Sequence, residues 1–156
     1  MTGPVYHGWN HRPKARGGSD PLPPVGHFEI KVFADRGALD GNLPDSAVIV
    51  STGDGKFIFV VPPDLDGTYL TLAEAGISAL GSDDLEVTIY NLTQAVDMLT
   101  TPITIPSGDY ASYLPVATDI AEANSQVAAA DRISINVDAA GGGDAEGLMV
   151  ILEFDA

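Results

Sequence analysis

The segment LEVTIYN, residues 85–91, alternates apolar and polar side chains along its whole length. Leu85, Val87 and Ile89 fall on one face of this alternation. Successive side chains of a β-strand point to opposite faces, so a period of two places one face in a core and the other toward solvent. The segment therefore predicts a half-buried β-strand, and similar segments recur along most of the chain.

Strand-like segments before and after residues 85–91 are separated by clusters of Gly, Pro, Asp and Ser, which favour turns. They are residues 28–34, 47–50, 56–61, 68–78, 101–105, 132–138 and 148–154. The exception is residues 119–130, where Asp119 could cap a helix and Ile120, Ala123 and Val127 recur at roughly helical spacing. This stretch predicts one to three helical turns.

About eight strands with one short helix are typical of an all-β domain. Strands that follow one another at intervals of roughly 8–15 residues predict a β-sandwich. Among sandwiches we favour a jelly-roll-like form, although the order of the strands cannot be read from their spacing.

Residues 1–26 differ from the rest and predict an extended N-terminal arm. Gly and Pro are frequent there, including the stretch PLPP at residues 21–24. Proline fixes φ and lacks a backbone N–H, so the arm cannot enter a helix or the interior of a sheet. We expect it to be mobile when alone in water. The chain is therefore divided into a basic Gly/Pro-rich arm, residues 1–26, and a β-sandwich domain, residues 27–156.

Charge divides the chain at the same place. Three of the seven cations but only one of the 22 acids lie in the arm, so the arm carries about +2 and the domain −17, which sum to the net −15. A folded acidic body with a basic arm indicates a protein that assembles onto a partner, and a tail without a partner is the alternative. Cations can pair with an acidic surface and large aromatic rings can fill apolar pockets. The arm residues expected to bind a partner are Tyr6, Trp9, Arg12, Lys14 and Arg16.

Composition excludes several classes of protein. The absence of cysteine removes thiol catalysis, thiolate metal sites and disulfides. The strong negative charge disfavours a nucleic-acid partner, because phosphates would be repelled. The sequence shows neither a signal peptide nor an apolar run of about 20 residues that could span a membrane. We expect a soluble protein that is made in the cytoplasm and has no membrane partner.

The residues that catalysis requires are scarce, so we expect no enzyme activity, no catalytic residues and no cofactor. All three histidines lie in the arm or at its edge, where no rigid pocket can position them. His7 and His11 have helical spacing, but Gly8 and Pro13 disfavour a helix, so a metal site there is not expected. Gly141-Gly142-Gly143 lacks the lysine of a phosphate-binding loop and predicts a flexible loop.

Calcium is the one ligand that the composition of the loops could bind. Oxygen-rich stretches at residues 64–67, 81–84 and 138–144 contain carboxylates that could bind it. None has the twelve-residue spacing of an EF-hand loop, and Asp and Gly are also the usual residues of turns. We therefore favour turn formation over a structural cation and expect no metal ligands.

Three longer stretches resemble a domain found among structural proteins of tailed bacteriophages and prophages. They are GDGKFIFVVPPDLDG (53–67), NLTQAVDMLTTPITIPSGDYAS (91–112) and DRISINVDAAGGGDAEGLMVILEF (131–154). The shared features are a turn followed by K-F-x-F and proline, an N-x-T-x-x-V-D-M-L segment, and a closing hairpin that contains G-L-x-V-x-L-x-F. The resemblance covers about residues 50–154, and the V-D-M-L segment is its most specific part.

The resemblance implies a small β-sandwich of the virion, most simply a capsid decoration (cement) protein on the outer surface of the phage head. Its partners would be the major capsid protein or other virion proteins. Proteins of this type are often homotrimers and reach their neighbours through extended termini, which fits a basic, aromatic arm. The alternative is a tail-fibre, tail-tip or receptor-binding module, whose loops near residues 106–115 and 138–147 would contact a host glycan or protein.

Overall fold

The computed structural model describes the backbone of residues 28–33 and both the backbone and the side chains of residues 49–112 and 119–155. These residues form eight β-strands and three single turns of 3-10 helix. The strands are β1 (Phe28–Phe33), β2 (Gly53–Val60), β3 (Tyr69–Gly76), β4 (Leu85–Asn91), β5 (Val96–Asp97), β6 (Ile103–Ile105), β7 (Arg132–Ala140) and β8 (Met149–Asp155). The 3-10 turns are Pro63–Leu65, Glu122–Asn124 and Gly141–Gly143.

The strands form two antiparallel sheets. One has the order β1-β8-β3, and the other has the order β2-β7-β4-β5, with β6 also paired to β4. The pairs are nested, because β1 pairs with β8, β2 with β7 and β4 with β5. β6 pairs with β4 beside β5, and the outer edge of β3 carries two isolated bridges, Tyr69 with Gln126 and Gly76 with Ala111. The all-β sandwich expected from the sequence is confirmed, and this nested strand order is that of a jelly roll.

The core lies between the two sheets and is built by the alternation seen in the sequence. Along β4 every second residue is buried, and Leu85, Val87 and Ile89 are at most 1 % exposed. The opposite sheet contributes Phe154, whose ring meets that of Phe59 edge-on, with centroids 6.4 Å apart. Burial of each such side chain contributes roughly 1.5–3 kcal/mol to the stability of the fold. The apolar residues that alternate along the strands therefore form the core.

The prediction of one to three helical turns at residues 119–130 is met only at its lower limit, by the 3-10 turn Glu122–Asn124, which Ala121 and not Asp119 precedes. Backbone groups on both sides of that turn pair with other segments instead. Ala121 N–H donates to the carbonyl of Met98, and Val127 N–H donates to that of Thr68. These N–H groups form hydrogen bonds at the edges of the two sheets and therefore hold the segment extended. Its apolar residues pack inward without a helix.

Seven of the eight predicted strands are confirmed, β4 with its predicted ends and the others with at least one end shifted. β5 was not predicted, because a strand of two residues is too short to show an alternation of apolar and polar side chains. In the predicted strand at residues 47–50, Ile49 forms only an isolated bridge with Glu146, while residues 47 and 48 lie outside the described part. No helix in the described part is long and apolar enough to span a membrane.

Two loops meet closely at one end of the sandwich, which gives the three consecutive glycines a packing role. Gly141, Gly142 and Gly143 have φ angles of 66°, 82° and 85°, a conformation that glycine adopts without strain. The loop before β4 lies against them: a Cβ added to Gly81 would lie 2.5 Å from the carbonyl oxygen of Gly141. The expected flexible loop is therefore a packed turn.

This close approach predicts the effect of adding one methyl group. Gly81→Ala should lower the free energy of unfolding by about 1–3 kcal/mol, because backbone atoms must move apart to admit the Cβ. Gly76→Ala is the matched control, since its Cβ would lie 3.4 Å from the nearest atom, the carbonyl oxygen of Tyr110. Urea unfolding of both variants measures the difference. Equal stabilities would contradict the packed contact.

Candidate functional site

The arm residues predicted to bind a partner lie outside the described part of the chain. Tyr6, Trp9, Arg12, Lys14 and Arg16 therefore have no structural account here, and their role stays a prediction. The described residues offer three features to weigh as sites: a buried polar network, a cleft on the outer face of the three-stranded sheet, and the exposed edge of β2.

The buried network joins the turn after β4 to the start of β7. Asp131 is 4 % exposed, and its Oδ2 accepts hydrogen bonds from Asn91 Nδ2 at 2.9 Å, Gln94 Nε2 at 2.6 Å and Ala128 N at 3.0 Å. Asn91 is fully buried, and its Oδ1 accepts the backbone N–H groups of Thr93 and Gln94. Every buried side-chain nitrogen and oxygen in the described part has a hydrogen-bond partner.

Residues of this network come from two of the three segments quoted in the sequence analysis. Asn91, Thr93 and Gln94 belong to the segment NLTQAVDML, and Asp131 opens the segment DRISINV. The Thr93 hydroxyl also accepts the backbone N–H of Arg132 at 2.9 Å. These residues therefore hold two distant parts of the sandwich together. Asn91 and Asp131 are buried, and the exposed Thr93 and Gln94 are engaged in hydrogen bonds within the network.

Burial and hydrogen bonding act in opposite directions on the pKa of Asp131. Burial disfavours the charged carboxylate and by itself would raise the pKa. The hydrogen bonds from Ala128, Asn91 and Gln94 outweigh burial, so the pKa lies below its usual value. A lowered pKa means that the carboxylate stabilises the fold above the pKa of the unfolded chain and loses that contribution as the pH falls through the folded pKa.

The acidic loops considered for calcium act as hydrogen-bond acceptors within and between loops. In residues 49–112 and 119–155, no group of three or more His, Cys, Asp or Glu side chains lies close enough together to hold a metal ion. The hydrogen bond from Ser82 N–H is the main cause of a lowered pKa at Asp144. The backbone bonds to loop carboxylates are Ala129 N to Asp66 Oδ1 at 2.9 Å, Ser107 N to Asp84 Oδ1 at 2.8 Å and Ser82 N to Asp144 Oδ1 at 2.8 Å.

A shallow cleft of about 390 Å³ lies on the outer face of the three-stranded sheet. Met149 and Ile151 of β8 and Glu74 of β3 contribute to its lining, and Tyr110 contributes from the loop after β6. Tyr110 is 56 % exposed. Its backbone is nevertheless fixed, because its carbonyl accepts the N–H of Ile77 at 2.9 Å. The cleft therefore combines an apolar floor, one exposed aromatic ring and one carboxylate.

The edge of β2 is the third feature and combines exposed apolar groups with positive charge. Phe57, Ile58 and Val60 are 38 %, 48 % and 59 % exposed. Lys56 begins this row, and Arg132 lies beside Val60 in the register of β2 with β7. The sequence did not reveal this edge, because a continuous apolar run such as FIFVV is equally typical of a strand buried on both sides.

Comparisons with known proteins identify no relative. No family model matches the chain, and no curated protein and no solved structure is similar to it. The resemblance to structural proteins of tailed phages thus stays a prediction that depends on the three quoted segments.

The buried network predicts that removing the hydrogen-bond acceptor at Asp131 lowers the free energy of unfolding more than removing its charge alone. Asp131→Ala removes the acceptor of three hydrogen bonds and should lower the free energy of unfolding by about 2–4 kcal/mol. Asp131→Asn keeps an oxygen that can accept all three and should cost less, about 1–2 kcal/mol. Its deficit relative to the unsubstituted chain should shrink as the pH falls through the folded pKa of Asp131, since protonation removes the charge there too.

Urea unfolding between pH 7 and pH 2 measures this prediction. Asp138→Ala is the control, because Asp138 is also an aspartate in this part of the chain, within β7, but is exposed. Equal effects at Asp131 and Asp138, or a deficit of Asp131→Asn that does not vary with pH, would contradict the role assigned to the carboxylate.

Proposed function

We propose that this chain is a non-enzymatic structural protein of a tailed-phage virion, a capsid decoration protein that attaches through its N-terminal arm to neighbouring capsid subunits. The observation that carries the proposal is the separation of charge along the chain. A basic arm of about +2 precedes a domain of −17. Opposite charges on one chain favour attachment by the arm, while the domain is repelled from other acidic surfaces.

The fold provides a suitable anchor for such an arm. β1 begins at Phe28, directly after the arm, and pairs with β8 along all six of its residues. In the described part of the chain β1 is an outer strand of its sheet, with β8 as its one neighbouring strand. Force on the arm would act on a strand held by a full ladder of backbone hydrogen bonds.

The domain has the properties that exposure on a particle requires. The core is continuous between the two sheets, and the fold needs neither disulfide nor metal at this size. The acidic surface would face solvent and keep particles apart. The phage resemblance supplies the rest of the proposal: a homotrimer on the outer surface of the head, with the major capsid protein as partner.

The arm is the part whose loss tests this function. Deletion of residues 1–26 should leave a folded domain that no longer sediments with capsids stripped of decoration proteins. Arg12→Glu/Lys14→Glu/Arg16→Glu should weaken co-sedimentation at least tenfold, because three attractions to an acidic surface become repulsions. An arm of the same composition in scrambled order is the matched control and retains only the general attraction. Binding of the deletion variant at full occupancy would overturn the proposed attachment.

A second candidate function, host recognition by a tail-fibre, tail-tip or receptor-binding module, is favoured by the cleft around Tyr110. An exposed aromatic ring beside a carboxylate can stack on the apolar face of a sugar while the carboxylate binds its hydroxyl groups. This function predicts binding of host-surface glycans that Tyr110→Ala removes. Tyr69→Ala, at an exposed tyrosine beside Gln126, is the matched control. Glycan-array binding that survives Tyr110→Ala would exclude the cleft.

A further inference from the structure

The outer edge of β2 is open in the described part of the chain, where its one neighbouring strand is β7. The outer edge of β1 also has no neighbour in the described part, but the edges of β3 and β5 are partly occupied. β3 has isolated bridges at both ends, to Gln126 and to Ala111, and the segment after β5 bridges Ile120 through Leu99. An open edge presents unpaired N–H and C=O groups to which another strand can add.

The backbone of β2 is oriented for such an addition. Val61 N–H donates to the carbonyl of Asp131, which places Val61 at a hydrogen-bonded position toward β7. In an antiparallel ladder the hydrogen-bonding direction alternates from residue to residue. Ile58 and Val60 therefore direct their N–H and C=O groups away from β7, to the open edge.

The side chains of this edge lack the usual protection against strand addition. Edge strands are commonly protected by charges, prolines or bulges. Here Lys56 and a register shift between Gly53 and Phe57 protect only the first half of β2. The nearest proline, Pro62, lies beyond the end of the strand. Residues 57–61 are uncharged and β-branched or aromatic, so they form an apolar pairing segment five residues long.

Charge favours a second copy of the chain at this edge. Two copies with a net charge of −15 repel each other over most of their surfaces. Lys56 and Arg132 are the only cations among the side chains that the structure describes, and both flank the pairing segment. Repulsion between two copies is therefore weakest where the two β2 edges face each other. The same cations would repel the basic arm.

The boundaries of the segment determine the register. Pairing is interrupted by the irregularity before Phe57 on one side and by Pro62 on the other. An antiparallel, two-fold pair of residues 57–61 is centred on Phe59 and places Ile58 opposite Val60 of the second copy. Both residues direct their backbone groups outward, so each such pair exchanges two hydrogen bonds.

We propose that β2 pairs with β2 of a second copy around Phe59, which joins two five-stranded sheets into one continuous sheet. The contact is two-fold and goes beyond the proposed attachment to capsids. It uses a surface separate from the arm and would link two free chains in solution or chains of neighbouring trimers on a particle.

Sedimentation velocity of the full chain tests the pairing. We expect a species of twice the 16.2 kDa chain mass, strengthened by added salt, because salt screens the repulsion between two acidic bodies. Val60→Lys should weaken association at least tenfold, because it adds a charge where the two edges meet. Thr104→Lys is the matched control, since it adds the same charge on β6 of the same sheet, away from β2. A monomeric unsubstituted chain, or an association that Val60→Lys leaves unchanged, would overturn the proposal.

Disulfide trapping tests the register, and the chain offers a clean background because it contains no cysteine. Chains with Ile58→Cys are mixed with chains carrying Val60→Cys and oxidised. We expect cross-linked dimers that contain one chain of each kind, because these two positions lie opposite each other. Dimers of Ile58→Cys with itself as the main product would overturn the register centred on Phe59.

If the chain sediments as a monomer, the arm and a virion protein remain as possible occupants of the edge. Hydrogen exchange at Ile58 and Val60, compared with and without residues 1–26, separates them. Either outcome would overturn pairing between copies, while the co-sedimentation test of the arm would still stand by itself.

Discussion

The buried carboxylate at the start of β7 is the constraint on which the rest of the sandwich depends. Removal of a carboxylate from water is costly unless hydrogen bonds replace the lost hydration. Asp131 obtains those bonds from the turn after β4 and from the loop before β7. The carboxylate can be buried only when both segments are in place, so its satisfaction sets the position of β4 relative to β7. These two strands form the centre of the five-stranded sheet.

The same network holds two backbone conformations that would otherwise be unfavourable. Ala95 and Ala130 have φ angles of 57° and 70°, in the left-handed region, which costs an alanine roughly 1–2 kcal/mol. Ala95 follows Gln94, and Ala130 precedes Asp131, so both flank residues of the network. Ala130 is further fixed by its N–H, which donates to the carbonyl of Val61 at 2.9 Å. Hydrogen bonds on either side thus impose a conformation that the alanines themselves do not favour.

The strands could be predicted because alternation is a local property, as in residues 85–91, where each side chain indicates its own face. The helix at residues 119–130 could not be excluded, since Ile120 and Val127 fit a helical spacing as well as they fit inward positions of an extended segment. The conformation of this segment is determined by its hydrogen bonds with Met98 and Thr68, which are distant in sequence. The same limit applies to the bond between Asn91 and Asp131, which spans 40 residues.

The candidate sites were less predictable than the fold because exposure depends on where a strand lies in its sheet. The run Phe57–Val61 indicates burial on both faces, yet strand order places β2 at an edge, and Ile58 and Val60 stay exposed. Within the described residues, nested pairing gives β2 one neighbouring strand, β7. Exposed apolar surface then coincides with Lys56 and Arg132 on a chain that is otherwise strongly acidic. In such a protein contact with another acidic surface is most favourable near the few cations, and five of the seven lie in the arm or beside β2.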